Sequence, residues 1–252
     1  MKNIETSKQS KESSLDAEKQ LRYLSSQIIA AQEIERKRIS RELHDELGQA
    51  LSLIKFKLRF IKKHLYENQI PLKQECEDTL EFIDQVIENV RRLSRDLSPT
   101  VLDDLGLTAA IRWLLHNLQT KEKNIHVTSD IVNIDHFFSQ DSYINIYRII
   151  QEALTNISEH AEAKNVSVVI KNQKNTILFF IEDAGKGFNV KRALMKITIE
   201  RGLGLASMAE RVQMLGGYFN ILSEKGKGTR IQFTIPFNKK VNNESLYNTP
   251  GR

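Results

Sequence analysis

The sequence has few of the residues that cross-link chains or interrupt helices. Its 252 residues include one cysteine, one tryptophan and four prolines, and no proline or glycine falls before Gly48. The single cysteine, Cys76, excludes an internal disulfide and a cysteine-rich metal site, which favours a reducing compartment. Together with 27% charged residues, this composition is typical of a largely helical protein that folds in water.

Long apolar runs are absent as well. No segment approaches the ~18 apolar residues that a membrane-spanning helix needs, and the first residues, MKNIETSKQSKESS, lack the apolar core of a signal peptide. We therefore expect no membrane span and a cytoplasmic location. The formal net charge is +5, but basic and acidic residues are interleaved, so the sequence predicts no direct binding to nucleic acid.

Apolar spacing predicts a helical hairpin in the first part of the chain. From Leu21 to Leu65 apolar residues recur at steps of three and four, and after a turn near Pro71 a stricter heptad runs from Cys76 to Leu97. Neither helix can bury its stripe alone. Residues 21–98 are therefore predicted to form a dimerisation hairpin that pairs with a second chain in a four-helix bundle.

The second part of the chain mixes strand and helix patterns. Five segments alternate as strands do, and amphipathic helices lie between them. This order predicts an α+β sandwich in which helices cover one face of a mixed sheet. The predicted organisation is a disordered tail at 1–20, the hairpin at 21–98, a linker at 99–104, the sandwich at 105–237 and a disordered tail at 238–252.

The first helix carries a histidine beside a carboxylate. His44 and Asp45 are adjacent, and Gln49 follows one turn later, so a nucleophile, a base and an amide able to hold a water would share one turn. His44 comes directly after Leu43 and should lie on the exposed flank of the stripe. Taken alone, this pattern favours an ordinary solvated helix face over a site.

Three further features in the second part suggest a nucleotide site. In RIIQEALTNISEHA, Glu152, Asn156 and His160 form one polar stripe, which suits Mg²⁺ or a plain solvated face. Asp183 follows a strand and leads into two glycines, Gly185 and Gly187. Such glycines let a ligand approach the main chain, and the Asp carboxylate can accept a hydrogen bond from an exocyclic amine such as that of adenine. The same motif is also compatible with a simple turn.

The third feature is a glycine-rich loop, Gly202-Leu203-Gly204-Leu205, that opens a helix. Free N–H groups and the helix dipole make such a helix end suitable for phosphate. The preceding segment, Asn189–Arg201, is basic through Lys191, Arg192, Lys196 and Arg201, as a lid over a triphosphate needs. An ordinary surface loop is the alternative.

Together these motifs match a known family. The second part resembles the ATP-binding domain of sensor histidine kinases, which is shared with gyrase, the Hsp90 chaperone and MutL, through QEALTNISEHA, DAGKGF, GLGLASMAERVQMLGG and KGKGTRIQFTIP. The first part resembles the phosphoacceptor hairpin of their nitrate-sensor subclass, through ERKRISRELHDELGQ and LSRDLSPTVLDDLGL. The resemblance covers roughly residues 30–237. It implies a dimeric two-component protein-histidine kinase with a GHKL-type (Bergerat) α/β sandwich.

The resemblance also implies roles for individual residues. His44 would be the phosphoacceptor, Asp45 would polarise its imidazole, and Gln49 would place the water for a phosphatase reaction. Asn156 would ligate Mg²⁺. The remaining implied contacts with ATP are Glu152 for the water shell of the metal, His160 and Lys164 near the phosphates, Asp183 for the adenine amine, Gly185 and Gly187 beneath the base, and Thr229 at the adenine pocket. Gly202 and Gly204 would hinge the lid, and Leu203 and Leu205 of the same loop would also contact the nucleotide.

Two residues depart from the family pattern. Ala184 stands where asparagine is usual, and Glu159 precedes His160 where a basic residue is frequent. The first removes a polar contact near the base, and the second adds a negative charge near the phosphates. Both would weaken ATP binding without removing a group that does chemistry.

The resemblance further implies partners. The phosphoryl group would pass to an aspartate of a response regulator with a helix-turn-helix output domain, and residues 98–103 would be the pivot of the ATP-binding domain. Input would come from a separate sensory protein or ligand acting on residues 21–35, or the chain is part of a longer sensor. Two alternatives are a protein-serine kinase of the anti-sigma type, which needs no His-Asp hairpin, and an ATP-gated scaffold without catalysis.

Overall fold

The chain folds into two compact units. The structure is a computed structural model that describes residues 2–195 and 203–237. One unit comprises residues 27–100, and the other comprises residues 1–26 and 101–252. The predicted C-terminal tail, 238–252, lies outside the described residues.

The first helical region extends further than its composition predicts. The polar residues 1–20 predict a disordered tail, whereas helix α1 spans Lys2–Glu42. The segment contains no proline or glycine, and its Lys, Glu and Gln residues are good helix formers, so the helix continues without an apolar face of its own. A π-helical turn, Leu43–Leu47, joins α1 to helix α2, Gly48–His64.

Helix α3, Ile70–Leu97, completes the predicted hairpin. Its heptad positions form the covered face: Cys76 and Ile83 are buried, and Leu80, Ile87, Val90, Ser94 and Leu97 are half-buried. Two ion pairs, Lys55–Asp84 and Lys62–Glu77, connect α2 to α3. The heptad prediction for this helix is confirmed.

The apolar stripe predicted for the first helix is divided between two faces. Leu43, Leu58 and Leu65 are half-buried on the side that packs on α3. Ile54 and Ile61 each keep 52% of their surface exposed. A hairpin offers each helix one neighbour, so apolar residues outside that seam stay uncovered in a single chain.

Residues 101–237 begin with helix α4, Val101–Lys121, which is interrupted at Gly106 with φ 82°. The predicted linker 99–104 is therefore mostly helical. The Asp135 carboxylate accepts the N–H of Thr108 at 2.9 Å, so it caps the second part of α4 and explains why the chain restarts its helix there.

A five-stranded mixed sheet forms the centre of this unit. Its strands have the order β1-β2-β3-β5-β4, with β1 parallel to β2 and the other pairs antiparallel. The strands are β1 His126–Ile131, β2 Asn165–Gln173, β3 Thr176–Asp183, β4 Tyr218–Ser223 and β5 Thr229–Pro236. All five predicted strands are present, and the two predicted hairpin turns join β2 to β3 and β4 to β5.

Helices cover one face of the sheet, as the α+β prediction requires. They are α4, α5 Gln140–Asn156, which continues into a π-helical turn Ile157–Ala161, and α7 Leu203–Met214. A short helix, α6 Val190–Met195, precedes α7. Alternate residues of the strands join these helices in one apolar core, where Phe179 stacks on Phe233 with 4.3 Å between ring centroids. This core holds the ends of α5, β3 and β5 in place for the site below.

Candidate phosphoacceptor and nucleotide sites

His44 and Asp45 lie in the π-helical turn between α1 and α2. The His44 Nδ1 is 3.1 Å from Asp45 Oδ1, and the two side chains are 72% and 65% exposed. The predicted accessibility of His44 is confirmed. A carboxylate acts as the acceptor here, so the proton sits on Nδ1 and Nε2 carries the free lone pair. Such π-helical turns frequently mark functional sites.

Gln49 follows in the first turn of α2 and is exposed. It lies within one turn of Asp45 along the same helical segment, as predicted. The structure thus presents an imidazole, a carboxylate and an amide to solvent within six residues.

A pair of serines that the sequence pattern does not predict connects α1 to α3 by hydrogen bonds, one turn before His44. Ser40 Oγ lies 2.9 Å from the carbonyl oxygen of Ser94 and 2.8 Å from Ser94 Oγ, and Ser94 Oγ donates to the carbonyl oxygen of Ser40 at 3.0 Å. Ser40 is 5% exposed. The signal was a serine at a heptad position of α3, where an apolar residue is usual.

The predicted metal stripe and the predicted lid hinge meet at Glu152. Asn156 Nδ2 donates to Glu152 Oε1 at 3.2 Å and to the carbonyl oxygen of Glu152 at 2.9 Å. A β-carbon built on Gly204 would lie 2.0 Å from Glu152 Oε1. A larger residue at position 204 would therefore force the Glu152 carboxylate to move away from the first turn of α7.

His160 and Lys164 lie beyond Asn156 and are exposed. The His160 Nε2 is 3.9 Å from Glu159 Oε2, so the unusual glutamate is next to the imidazole. Within the described part of the chain, neither His160 nor Lys164 has a hydrogen bond or ion pair with Glu152, Asn156 or Asp183. The structure thus brings Glu152, Asn156 and Gly204 together but does not join His160 or Lys164 to them.

Among the predicted site residues whose burial the structure describes, Asp183 is the most deeply placed, at 4% exposure. Its Oδ1 accepts the N–H of Gly185 at 2.8 Å, and Thr229 lies opposite Asp183 in the strand register. Burial raises the pKa of this carboxyl, and the bonds from Gly185 and Thr229 only partly offset that rise. A buried carboxylate held on one side still has lone pairs for a ligand amine.

Glycines form the backbone walls beside Asp183. A β-carbon on Gly185 would lie 2.2 Å from the carbonyl oxygen of Ala161, and one on Gly187, which has φ 56°, would lie 2.0 Å from that of Glu224. On Gly228, a β-carbon would lie 1.9 Å from the carbonyl oxygen of Asp183. These positions require glycine because the main chain approaches itself closely at each of them.

The predicted lid is described only in part. Its first half forms α6, Val190–Met195, whereas Lys196, Arg201 and Gly202 lie outside the described residues. Leu203 begins α7, and Leu205 packs against the core. Two further contacts near the site were not predicted: Lys186 pairs with Glu162 at 2.6 Å, and Ser223 accepts the N–H of Phe188 at 2.9 Å.

Within residues 2–195 and 203–237, no cluster of three or more His, Cys, Asp and Glu side chains is arranged to hold a metal ion. Likewise, no helix in the described ranges is both long enough and apolar enough to cross a bilayer.

Both parts of the chain match known families. Residues 35–102 match the family described as histidine kinase, and residues 141–239 match the histidine kinase-, DNA gyrase B-, and HSP90-like ATPase family. The chain therefore contains the two domains that these histidine kinase families describe. The match to 35–102 covers the His-Asp hairpin, which the serine-kinase alternative does not need.

One sequence relative is also a histidine kinase. The oxygen sensor histidine kinase NreB of Staphylococcus carnosus is 36% identical over 219 residues, which are 85% of this chain. The chain spans 60% of the length of that relative. Among solved structures, the histidine kinase domain of the Erythrobacter litoralis EL346 blue-light activated histidine kinase has a TM-score of 0.47 at 18% identity, over 75% of this chain and 94% of the other. The mycobacterial sensor histidine kinase MprB has a TM-score of 0.41 at 17% identity, over 52% and 94%.

Proposed function

We propose that the protein is an ATP-dependent protein-histidine kinase that phosphorylates His44 and passes the phosphoryl group to an aspartate of a response regulator. The observation that carries the proposal is the exposed His44 ring held by Asp45, with 3.1 Å between Nδ1 and Oδ1. A ring with Nδ1 occupied and its surface open to solvent offers Nε2 as a nucleophile.

In the proposed reaction, the lone pair of His44 Nε2 attacks the γ-phosphorus of ATP. The new P–N bond forms as the bond between the γ-phosphorus and the β–γ bridging oxygen breaks, and ADP leaves. Asp45 keeps the proton on Nδ1 and stabilises the positive charge that develops on the ring. Little other covalent help is required, because phosphoryl transfer depends mainly on positioning and charge neutralisation.

The nucleotide-binding residues fit this role. Asp183 would accept a hydrogen bond from the exocyclic amine of adenine, beside Thr229, and Gly185 and Gly187 leave space for the base. The N–H groups that open α7 at Leu203 and Gly204 would bind phosphate oxygens. Gly202 would hinge the lid, and Leu205 anchors the start of α7 in the core.

Magnesium is part of the proposal. The amide nitrogen of Asn156 is engaged by Glu152, so its Oδ1 is the atom suited to the metal. Glu152 would order the water shell, and His160 and Lys164 would lie near the phosphates. Mg²⁺ usually takes few protein ligands and shares itself with substrate phosphates, whose charge it neutralises. A donor set of one amide and one carboxylate fits that pattern.

A homodimer is proposed from the uncovered face of α2. Ile54, Phe56, Phe60 and Ile61 are each more than half exposed, and they are clustered on one side of the helix. Leaving such side chains in water costs about 25 cal/mol per Å² of apolar surface, which a second hairpin would recover. The proposed four-helix bundle uses this face.

The remaining partners follow from the same family. We propose a response regulator with a helix-turn-helix output domain, a pivot within residues 98–103, and input from a sensory protein or ligand through residues 21–35. Phosphatase activity toward the regulator, with Gln49 placing the water, is included. A cytoplasmic location is proposed because ATP and a response regulator are both found there.

Labelling with ATP that carries radioactive phosphate at the γ position tests the proposal. The wild-type dimer with Mg²⁺ should acquire an acid-labile phosphate that His44→Gln abolishes. His64→Gln is the matched control, because His64 is an exposed histidine of the same hairpin whose Nδ1 lies 2.8 Å from the carbonyl oxygen of Phe60. Labelling that survives His44→Gln would disprove the acceptor.

Two other outcomes would support the alternatives. Acid-stable phosphate on a separate protein would indicate a serine kinase. Nucleotide binding without any phosphotransfer, even with candidate regulators supplied, would indicate a scaffold.

A further inference from the structure

Three polar residues form a row across the core-facing side of the sheet. In the strand register Asp183 is opposite Thr229, and Thr229 is opposite Ser223. The next row inward is Ile181, Ile231 and Ile221, all apolar. Paired residues on adjacent strands point to the same face, so the polar row replaces what would otherwise be another apolar row.

The row is linked by hydrogen bonds. Ser223 Oγ is 3.1 Å from Thr229 Oγ1. Thr229 in turn lies opposite Asp183 in the strand register, where hydrogen bonding from its hydroxyl partly offsets the rise that burial causes in the pKa of the Asp183 carboxyl. A second bond places Ser223 Oγ 2.9 Å from the carbonyl oxygen of Gly228. Phe188, the last residue of DAGKGF, donates its N–H to Ser223 Oγ at 2.9 Å.

The number of available protons determines which group donates in each hydrogen bond of this row. Thr229 has one hydroxyl proton, and a carboxylate is a stronger acceptor than a hydroxyl, so that proton goes to Asp183. Ser223 then supplies the proton between the two hydroxyls and shares it with the carbonyl of Gly228, while its own oxygen accepts from Phe188. The order is Phe188 N–H, Ser223 O–H, Thr229 O–H and the Asp183 carboxylate.

We propose that Ser223 is a positioning residue for adenine recognition, acting through Thr229 on Asp183. This proposal rests on the proposed function, because it assumes that Asp183 binds the exocyclic amine of ATP. Ser223 does not touch the reacting phosphate. It orients the carboxylate that selects the base.

The proposal predicts loss of base selectivity with chemistry retained. Ser223→Ala should raise the Kd and KM for ATP about fivefold, the effect of one lost hydrogen bond, and leave kcat at saturating ATP unchanged. The affinity for purine riboside triphosphate, which lacks the exocyclic amine, should change by less than about twofold, within the spread between independent single-site measurements. The preference for ATP over this analogue should therefore fall.

Three variants separate positioning from a merely structural effect. Ser223→Thr keeps the hydroxyl and suits a strand, so it should restore the preference for ATP. In an Asp183→Asn background, Ser223→Ala should add no further loss. Ser167→Ala is the matched control, because Ser167 is a half-buried strand serine outside the row, and it should leave both affinities unchanged.

The experiment is direct binding of both triphosphates to the full chain by calorimetry, with circular dichroism as the check on folding. If Ser223→Ala does not fold, Thr229→Val removes a hydroxyl from the same row of hydrogen bonds at nearly constant volume. It should produce the same loss of preference for ATP over the analogue. An unchanged preference in either folded variant, or an equal loss of affinity for both triphosphates, would overturn the role of Ser223. A wild type that binds neither triphosphate would overturn the proposed function and this proposal with it.

Discussion

The Glu152 carboxylate lies directly against the α-carbon of Gly204. A β-carbon at residue 204 would be 2.0 Å from Glu152 Oε1 and 2.9 Å from its Cδ, whereas a β-carbon on Gly48 would have nothing within 4 Å. The same carboxylate accepts the amide N–H of Asn156. Two motifs about fifty residues apart in sequence thus share one carboxylate oxygen.

Gly204→Ala should impair ATP binding more than stability. The new β-carbon would meet the carboxylate of Glu152, which is the end of a flexible side chain and can rotate away. Alanine also has a higher helix propensity than glycine, by about 1 kcal/mol. The free energy of unfolding in urea should therefore change little. Because the displaced Glu152 releases Asn156, affinity for Mg²⁺-ATP should drop several-fold, as measured by calorimetry.

Gly185→Ala provides the contrast. Its β-carbon would meet the carbonyl oxygen of Ala161, which is backbone and cannot rotate away, so this variant should lose about 1–3 kcal/mol of stability. Gly48→Ala is the control for both, with open space around it. Equal stability of the Gly185 and Gly48 variants would contradict the backbone contact.

Asp45 and Gln49 should differ in their effects on the two directions of phosphoryl transfer. Asp45→Asn removes the carboxylate that holds His44 Nδ1, so autophosphorylation should fall by about 100-fold or more, and phosphatase activity should also fall. Gln49→Ala should keep autophosphorylation and lose phosphatase activity. Parallel assays of labelling and of regulator dephosphorylation measure both, and an equal loss of the two activities in Gln49→Ala would refute its role.

The raised pKa of Asp183 should appear in the pH dependence of stability. The folded state holds this proton more tightly than the unfolded state, whose pKa is near the ordinary value of 3.8. The contribution of this carboxyl to the free energy of unfolding is therefore present at low pH and is lost as the pH rises through its raised pKa in the folded state. Asp183→Asn cannot titrate, so the stability difference, variant minus wild type, should grow with pH over that interval. Urea unfolding of both proteins at several pH values checks this, and a constant difference would contradict it.

Replacing one serine of the Ser40–Ser94 pair should cost more than replacing both. Ser94→Ala leaves the buried Ser40 hydroxyl with fewer partners, at a cost of about 1–3 kcal/mol in the free energy of unfolding. The double alanine variant removes both hydroxyls from an otherwise apolar seam and should recover part of that loss. Ser52→Ala is the control, since its exposed hydroxyl bonds only its own helix at Gly48. Additive losses would indicate that the two serines act independently.

The sequence predicted most of the fold because its patterns are local. Apolar periodicity is sufficient to place the hairpin and the five strands, and the order of motifs is sufficient to suggest a nucleotide site. Apolar periodicity did not predict the helix at the N-terminus, because a polar helix needs no apolar stripe. In α2 it predicted the helix but not which apolar residues face α3 and which stay exposed. Contacts with a partner helix, which the spacing does not encode, decide that division.

The sequence alone determined the chemical groups and their order: an imidazole beside a carboxylate, an amide, and an aspartate that follows a strand and is flanked by glycines. Only the tertiary structure decided which groups meet. The strand register sets Asp183, Thr229 and Ser223 in one row, and the packing of α7 on α5 brings Gly204 to Glu152. These contacts join residues up to about fifty positions apart, and distances of that kind are set by how sheet and helices pack, not by the spacing of residues along the chain.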